Sequence, residues 1–118
     1  MLIGVSHWHT PFYLDPLLDL PDVAVVGVSD PDPDRAAPFA AQARCPVFTD
    51  FQDMCARLRP DFAFALGRHC DMAETARFLI AQNIPFAMEK PCALTSAEAH
   101  DVAARAKAAG LFAAVPFV

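Results

Sequence analysis

The sequence has little positive charge and few long apolar segments. Only two of its 118 residues are lysine, and Lys and Arg together number 9 against 14 Asp and Glu, so the net charge is −5. A nucleic-acid-binding surface needs a basic patch that this composition does not supply. Apolar runs such as "FAFAL" and "LFAAV" are too short to span a bilayer. Because the first basic residue is Arg35, no secretory signal peptide is expected either.

The sequence also lacks cysteine pairs with the spacing of a zinc or redox site. Cys45, Cys55, Cys70 and Cys92 are 10, 15 and 22 positions apart, and no Cys-x-x-Cys occurs. We therefore expect free thiols and a reducing, cytoplasmic location. The histidines have no third and fourth ligand at a diagnostic spacing, so no metal site is expected.

Apolar segments of strand length alternate with segments of helix length. Hydrophobic residues make up 55% of the sequence and the mean hydropathy is +0.29, which favours one domain over residues 1–118 with a buried core. Strands are predicted over 1–5, 22–30, 46–50, 61–67, 84–89 and 111–117. Helices are predicted over 33–43, 50–58, 72–81 and 95–109. This order predicts an α/β fold, with a doubly wound, mostly parallel, Rossmann-like sheet of about six strands and helices on both faces.

The first and last helices differ in how well their ends are marked. Pro11 suits the first turn of a helix, whereas Pro16 would interrupt its interior, so the first helix is expected either to kink or to start near Asp15. In the last helix, Thr95 and Glu98 have the spacing of a capping box, which predicts its start.

Glycine-containing or charged segments follow four of the predicted strands. They are "GVSHWH" (4–9), Asp30, "GRH" (67–69) and "EKP" (89–91). In a parallel sheet the carboxyl ends of the strands share one edge, and ligands of doubly wound folds bind there. The sequence therefore predicts that these four segments converge on one site.

The segment "GVSHWH" occupies the place of a G-x-G-x-x-G phosphate loop but holds a single glycine. Gly4 is at the first position, Ser6 at the second, where a small residue lets a pyrophosphate approach, and His9 at the third. Free N–H groups at the helix start can still bind phosphate, with His7 as a further donor and Trp8 as a stacking face. For the hexapeptide alone, a sharp turn with an aromatic plug is the favoured interpretation.

Asp30 has the position of a ribose-binding carboxylate. It lies 26 positions after Gly4, near the spacing of about 20 that is typical of such a residue. Its oxygens suit two ribose hydroxyls and would repel a 2′-phosphate, which favours NAD over NADP. An aspartate that starts a turn before Pro31 explains the same residue equally well in isolation.

The stretch "AMEKPCALTSAEAHDVAARAKAAG" resembles the cofactor domain of the Gfo/Idh/MocA oxidoreductases, which include glucose–fructose oxidoreductase and inositol dehydrogenase. "MLIGVSHWH" is similar to the family's first strand and phosphate loop, and "VVGVSDPDPDRA" to its second strand and acidic ribose contact. Residues 59–91 resemble the span from the fourth strand to the Glu-Lys-Pro motif. The resemblance implies an NAD(P)-binding Rossmann domain.

The resemblance also implies roles for the Glu-Lys-Pro segment. Lys90 would be the catalytic residue, beside the nicotinamide and the reacting hydroxyl of the substrate, where an ammonium group takes part in proton transfer. Glu89 would help to fix the loop, and Pro91 often follows a cis peptide bond in the family.

The loop after the fourth strand departs from the family, which usually has Thr-Pro-Asn there. Gly67 leaves room for the cofactor. Arg68 either pairs with a phosphate, closes over the adenine or is an exposed cation, and His69 is next to it. Met72 stands where a substrate-side histidine is common.

The family implies hydride transfer between the nicotinamide of NAD or NADP and a secondary alcohol or carbonyl of a sugar, polyol or similar substrate. Its members continue after the sixth strand into an α+β domain that carries substrate residues and the oligomer interface. Residues 1–118 do not include that domain. We therefore expect a fragment of a homo-oligomeric enzyme with negligible turnover on its own.

Two other functions remain open at this point. The glycine-poor loop is compatible with a Rossmann-like module that binds a nucleotide or a protein without catalysis. A third possibility is an assembly domain in which another chain covers Phe112, Phe117 and Val118. The exposed sheet edge then predicts self-association.

Overall fold

The computed structural model describes residues 1–116, so Phe117, the last residue of the predicted sixth strand, and Val118 lie outside the described residues. Strands and helices alternate throughout. The elements are β1 (Leu2–Ile3), α1 (Thr10–Leu18), β2 (Val28–Ser29), α2 (Pro33–Ala43), β3 (Val47–Phe48), α3 (Phe51–Leu58), β4 (Ala63–Ala65), α4 (Met72–Ala81), β5 (Phe86–Met88), α5 (Ser96–Ala108) and β6 (Ala113–Ala114).

All the strands pair in parallel, in the order β3-β2-β1-β4-β5-β6. The predicted doubly wound, Rossmann-like sheet is therefore confirmed. The strand order reverses between β1 and β4, and doubly wound sheets open a ligand crevice at such a point.

The two faces of the sheet carry separate apolar clusters. Leu2 and Val28 point to the face that packs on Leu14 of α1 and Ala36 of α2. On the opposite face, Ile3 is one of the strand residues packed against α3, α4 and α5. Successive strand residues point to opposite faces, and both faces are covered by helices. This is why the central strands have apolar residues at successive positions of the sequence.

Side-chain caps fix the starts of three helices. Asp32 accepts hydrogen bonds from two N–H groups of α2, and Asp50 accepts one from the first turn of α3. The capping box predicted for α5 is present, with Thr95 bonded to the Glu98 N–H and the Glu98 carboxylate bonded back to the Thr95 N–H.

The structure corrects two details of the prediction. The first helix begins at Thr10 and runs through Pro16, so a start near Asp15 is wrong. The paired strands are shorter than the apolar runs. In the second run, Val28 pairs with Leu2, and the preceding Val23 and Val26 lie outside the ladder and stay exposed. Among residues 1–116, no helix has the length and apolar character needed to cross a membrane.

Candidate functional site

A cavity of about 1020 Å³ opens at the carboxyl ends of β1, β2, β3 and β4. Seven of the residues predicted from the sequence line it, namely Gly4, Ser6, His7, Asp30, Gly67, Arg68 and His69. The other five predicted residues, Trp8, His9, Glu89, Lys90 and Pro91, are outside its lining. The segments after β1, β2 and β4 thus meet at one cavity.

The loops after β1 and β4 touch through two glycines. Gly4 has a φ of +74°, and a Cβ atom added to it would lie 2.4 Å from the Cα of Gly67. A Cβ added to Gly67 would meet nothing within 4 Å. Gly4 is therefore required for the close approach of the two loops, whereas Gly67 keeps space open beside the cavity.

Asp30 is buried at the end of β2 and binds the loop after β1. Its Oδ2 accepts hydrogen bonds from the Ser6 N–H (2.8 Å) and from the Ser6 hydroxyl, and its Oδ1 accepts one from the Asp32 N–H (3.1 Å). A carboxylate oxygen has two acceptor sites, so Oδ1 retains one for a ribose hydroxyl.

The N–H groups of the loop are mostly used within the protein. Those of Ser6, His7, His9 and Thr10 are bonded inside the loop or to Asp30. Within residues 1–116, the Trp8 N–H has no acceptor. A pyrophosphate would therefore meet one free loop N–H in this arrangement, and not the row of donors that a glycine-rich loop offers.

The lining of the cavity is more acidic than basic. Its carboxylates belong to Asp30, Asp32, Asp50, Asp71 and Glu74. Its two guanidinium groups are already paired within the chain, Arg35 with Asp32 (3.3 Å) and Arg68 with Asp71 (2.7 Å). Arg68 is thus an exposed cation held by Asp71, and the hydrogen bond from Arg68 keeps the pKa of Asp71 below its ordinary value.

The Glu-Lys-Pro segment meets the rim of the cavity through Glu89, which has a ligating atom within 4.8 Å of one in the lining residue His7. The Lys90–Pro91 peptide bond is cis, as the resemblance implied. The pKa of His7 is below its ordinary value, and burial is the largest cause. His9, His69 and Lys90 also lower this pKa, whereas Glu89 acts in the opposite direction. The hydrogen bond between His9 and Glu89 joins the loops after β1 and β5, and the close approach of Gly4 and Gly67 joins those after β1 and β4. In the described part of the chain, no carboxylate forms an ion pair with the Lys90 ammonium group.

Glu89 is buried behind this rim and receives three hydrogen bonds. Its Oε2 accepts from the Tyr13 hydroxyl (2.6 Å) and from His9 Nδ1 (3.0 Å), and its Oε1 accepts from the Lys90 N–H (3.0 Å). Ligating atoms of His7, His9 and Glu89 lie within 4.8 Å of one another, which is the spacing of a candidate metal cluster.

Sequence reasoning missed several residues of the cavity. Thr49, Asp50 and Phe51 follow β3 and line it, and the same strand-end rule applied to "PVFTD" would have found them. Ser29 also lines the cavity, and its buried Oγ has no hydrogen-bond partner within residues 1–116. Met72, at the position of the family's histidine, is a core residue with 1% exposure.

These features fit a dinucleotide. The cavity is as large as typical cofactor pockets. Gly67 leaves room for a ligand, Asp30 has acceptor capacity for a ribose, and Ser29 offers an unused hydroxyl. An orphaned buried hydroxyl is costly unless a ligand or water satisfies it.

Comparison with known proteins agrees with this geometry. The sequence profile described as "Oxidoreductase family, NAD-binding Rossmann fold", of the Gfo/Idh/MocA group, matches residues 1–117. No curated protein matches the sequence.

Solved structures share the fold over nearly the whole chain. GenD2 from gentamicin A biosynthesis, in complex with NAD, is 22% identical with a TM-score of 0.89 over 97% of this chain and 32% of its own. UDP-N-acetylglucosamine 3-dehydrogenase GnnA from Acidithiobacillus ferrooxidans is 25% identical with a TM-score of 0.82, over 97% of this chain and 36% of its own. Myo-inositol 2-dehydrogenase from Lactobacillus plantarum is 16% identical with a TM-score of 0.87, over 98% and 34%.

The chain spans about a third of the length of these proteins. Its profile match extends over 117 of 118 positions, and its strand order and strand-end cavity are those of a doubly wound dinucleotide fold. The chain therefore belongs to the Gfo/Idh/MocA oxidoreductase family and carries its NAD-binding Rossmann fold.

Proposed function

We propose that this chain is the cofactor-binding part of an NAD-dependent oxidoreductase that acts on a secondary alcohol or carbonyl of a sugar, polyol or similar substrate. The observation that carries the proposal is the convergence of Gly4, Asp30 and Gly67 on one cavity at the point where the strand order reverses. The dehydrogenases of a nucleotide sugar and of inositol among the structural neighbours support the substrate class. The substrate residues themselves would belong to a further domain.

Lys90 is the residue that we assign to the chemistry. The bound nicotinamide supplies or accepts the hydride. The Lys90 side chain has no ion-pair partner in residues 1–116. In reduction its ammonium group donates a hydrogen bond and then the proton to the substrate oxygen, and in oxidation its neutral amine accepts the proton that the hydroxyl loses. Glu89 and the cis Lys90–Pro91 bond fix the backbone from which the ammonium group extends.

The charge of the cavity favours NAD over NADP. Asp30 and Asp32 line the cavity after β2, where we expect the adenosine ribose to bind, and Arg35 is neutralised by Asp32. A 2′-phosphate would meet like charge and would have to break that ion pair. We expect NADH to bind at least about tenfold more tightly than NADPH, which corresponds to about 1.4 kcal/mol.

Titration of the chain with NADH tests cofactor binding, because the protein contains a single tryptophan, Trp8, next to the cavity residue His7. We expect saturable energy transfer from Trp8 to NADH, with a weaker response to NADPH. The absence of saturable transfer up to millimolar NADH would contradict the proposal.

A non-catalytic module that binds a nucleotide or a protein is the second candidate. The internal use of the loop N–H groups leaves few donors for a pyrophosphate and so favours the protein-binding form of this candidate. Lys90→Ala in a full-length protein that contains this domain separates the two functions. Loss of oxidation with unchanged NADH affinity supports the enzyme, whereas unchanged oxidation removes the catalytic role assigned to Lys90. A full-length protein that binds NADH but oxidises no such substrate supports the module. Lys107→Ala, at the only other lysine, is the matched control.

A further inference from the structure

Two side chains at the start of α1 reach a single carboxylate at the end of β5. His9 is the residue before α1 and Tyr13 lies four positions later, so one turn of helix presents both to the same side. They bind the same oxygen, Oε2 of Glu89, although they are 80 and 76 positions away from it along the chain.

The Glu89 carboxylate connects these donors to Lys90. Its other oxygen, Oε1, accepts the Lys90 N–H at 3.0 Å, and the Glu89 N–H is tied to the Ala65 carbonyl of β4 at 2.8 Å. A continuous set of hydrogen bonds thus runs from the loop after β1, through Glu89, to the backbone of Lys90.

This set is buried and carries charge. Glu89 is 1% exposed and His9 is 5% exposed, with the Trp8 ring centroid 3.7 Å from that of His9. Burial acts to raise the pKa of Glu89, but the hydrogen bonds from Tyr13, His9 and the Lys90 N–H outweigh it and keep the pKa below its ordinary value. A buried, ionised carboxylate depends on its hydrogen-bond donors. The loss of one donor therefore weakens the hydrogen bonds that the carboxylate makes with the others.

We propose that His9 and Tyr13 are positioning residues, which hold Glu89 and through it the backbone of Lys90 at the rim of the cofactor cavity. His9 stands at the third position of the phosphate loop, where a glycine would give no side-chain contact. In this chain that position links the phosphate loop to the Lys90 loop. The inference rests on the proposed function for the role of Lys90 and adds the residues that place it.

A metal at His7, His9 and Glu89 is the competing explanation of the same cluster. The hydrogen bonds argue against it, because Oε2, the oxygen that faces His9, already accepts two. The positive charge of Lys90, the residue after Glu89, would also repel a cation.

The chain's two lysines allow a direct test. Reductive methylation with ¹³C-formaldehyde labels Lys90, Lys107 and the N-terminal amine of Met1, and of these resonances only that of Lys90 is expected to move when NADH is added. In Tyr13→Phe, which keeps the ring against Phe64, the displacement should fall to less than about half of its unsubstituted value, because one charge-assisted hydrogen bond is lost. His9→Ala should act in the same way, and His9→Asn, which retains a donor, should restore part of the displacement.

A second readout needs no cofactor. Hydrogen exchange of the Lys90 amide should be faster in Tyr13→Phe and His9→Ala than in the unsubstituted chain, whereas the exposed His100→Asn on α5 should leave it unchanged. If His9→Ala does not fold, Tyr13→Phe alone decides the question.

The outcomes separate the two proposals. If the Lys90 resonance of the unsubstituted chain does not move when NADH is added, both the proposed function and this inference are overturned. A displacement that Tyr13→Phe leaves intact, or Lys90 exchange that it leaves unchanged, overturns only the positioning role. Stoichiometric zinc chloride that shifts the His7 and His9 ring signals overturns it as well, in favour of a metal site.

Discussion

At the scale of single residues, two glycines of the site are under opposite constraints. In Gly4→Ala the positive φ costs about 1–2 kcal/mol, and the new Cβ, 2.4 Å from the Gly67 Cα, adds a backbone clash. We expect a large drop in melting temperature. Gly67→Ala should melt like the unsubstituted chain but bind NADH more weakly, because its methyl group enters open space beside the cavity. Equal melting temperatures for the two variants would contradict this account of the loops.

The carboxylate of Glu89 makes a prediction about acid stability. Its pKa in the fold is below its ordinary value of 4.5, so the folded protein binds this proton less readily than the unfolded chain. The resulting stabilisation is present above pH 4.5 and is lost as the pH falls below that value through the folded pKa. Urea unfolding at a series of acidic pH values should show a shallower loss of stability in Glu89→Gln. If the free energy of unfolding falls with pH equally in the two proteins, Glu89 does not provide this stabilisation.

At the scale of elements, the start of α5 depends on its capping box. Thr95→Ala removes the acceptor for the Glu98 N–H and should lower the free energy of unfolding by about 1 kcal/mol. Thr95→Ser keeps the hydroxyl and should stay close to the unsubstituted chain. Urea unfolding measures both variants, and an equal loss in the two would contradict a role for the hydroxyl.

The ends of helices were predictable from the sequence where local chemistry decides them. Thr95 with Glu98, and Asp32 before Pro33, act within a few positions, and the predicted helices agree with α2, α4 and α5 to within a residue. The start of α1 was less predictable, since Pro16 disfavours a helix interior that the packing of Leu14 retains.

The lengths of the strands and the contacts of Glu89 depend on distant parts of the chain. Val23 and Val26 favour a strand by composition, but pairing is set by the neighbouring β1. The convergence of Gly4, Asp30 and Gly67 was predictable, because each follows a parallel strand. The hydrogen bond from Tyr13 to Glu89 was not, because nothing in the local sequence relates these two residues. Contacts of that kind follow from the packing of α1 against the sheet.

At the scale of the whole molecule, burial predicts the order in which the thiols react. Cys70 is exposed, Cys45 and Cys92 are half-buried, and Cys55 is buried, with burial raising its pKa to about 11. Because the thiolate is the reactive form, a disulfide reagent should modify Cys70 first and Cys55 only on unfolding. Cys70→Ser should remove the fast phase. Modification of Cys55 at the rate of Cys70 would contradict the described packing.

The central claim is that the segments after β1, β2, β4 and β5 form one dinucleotide site. Amide chemical-shift mapping of the ¹⁵N-labelled chain during an NADH titration tests it most directly. The account predicts saturable shifts at Gly4, Ser6, Asp30, Gly67 and Lys90, with a common dissociation constant. Shifts confined to the far end of the sheet, around Arg59 and Asn83, or no shifts at millimolar NADH, would contradict it.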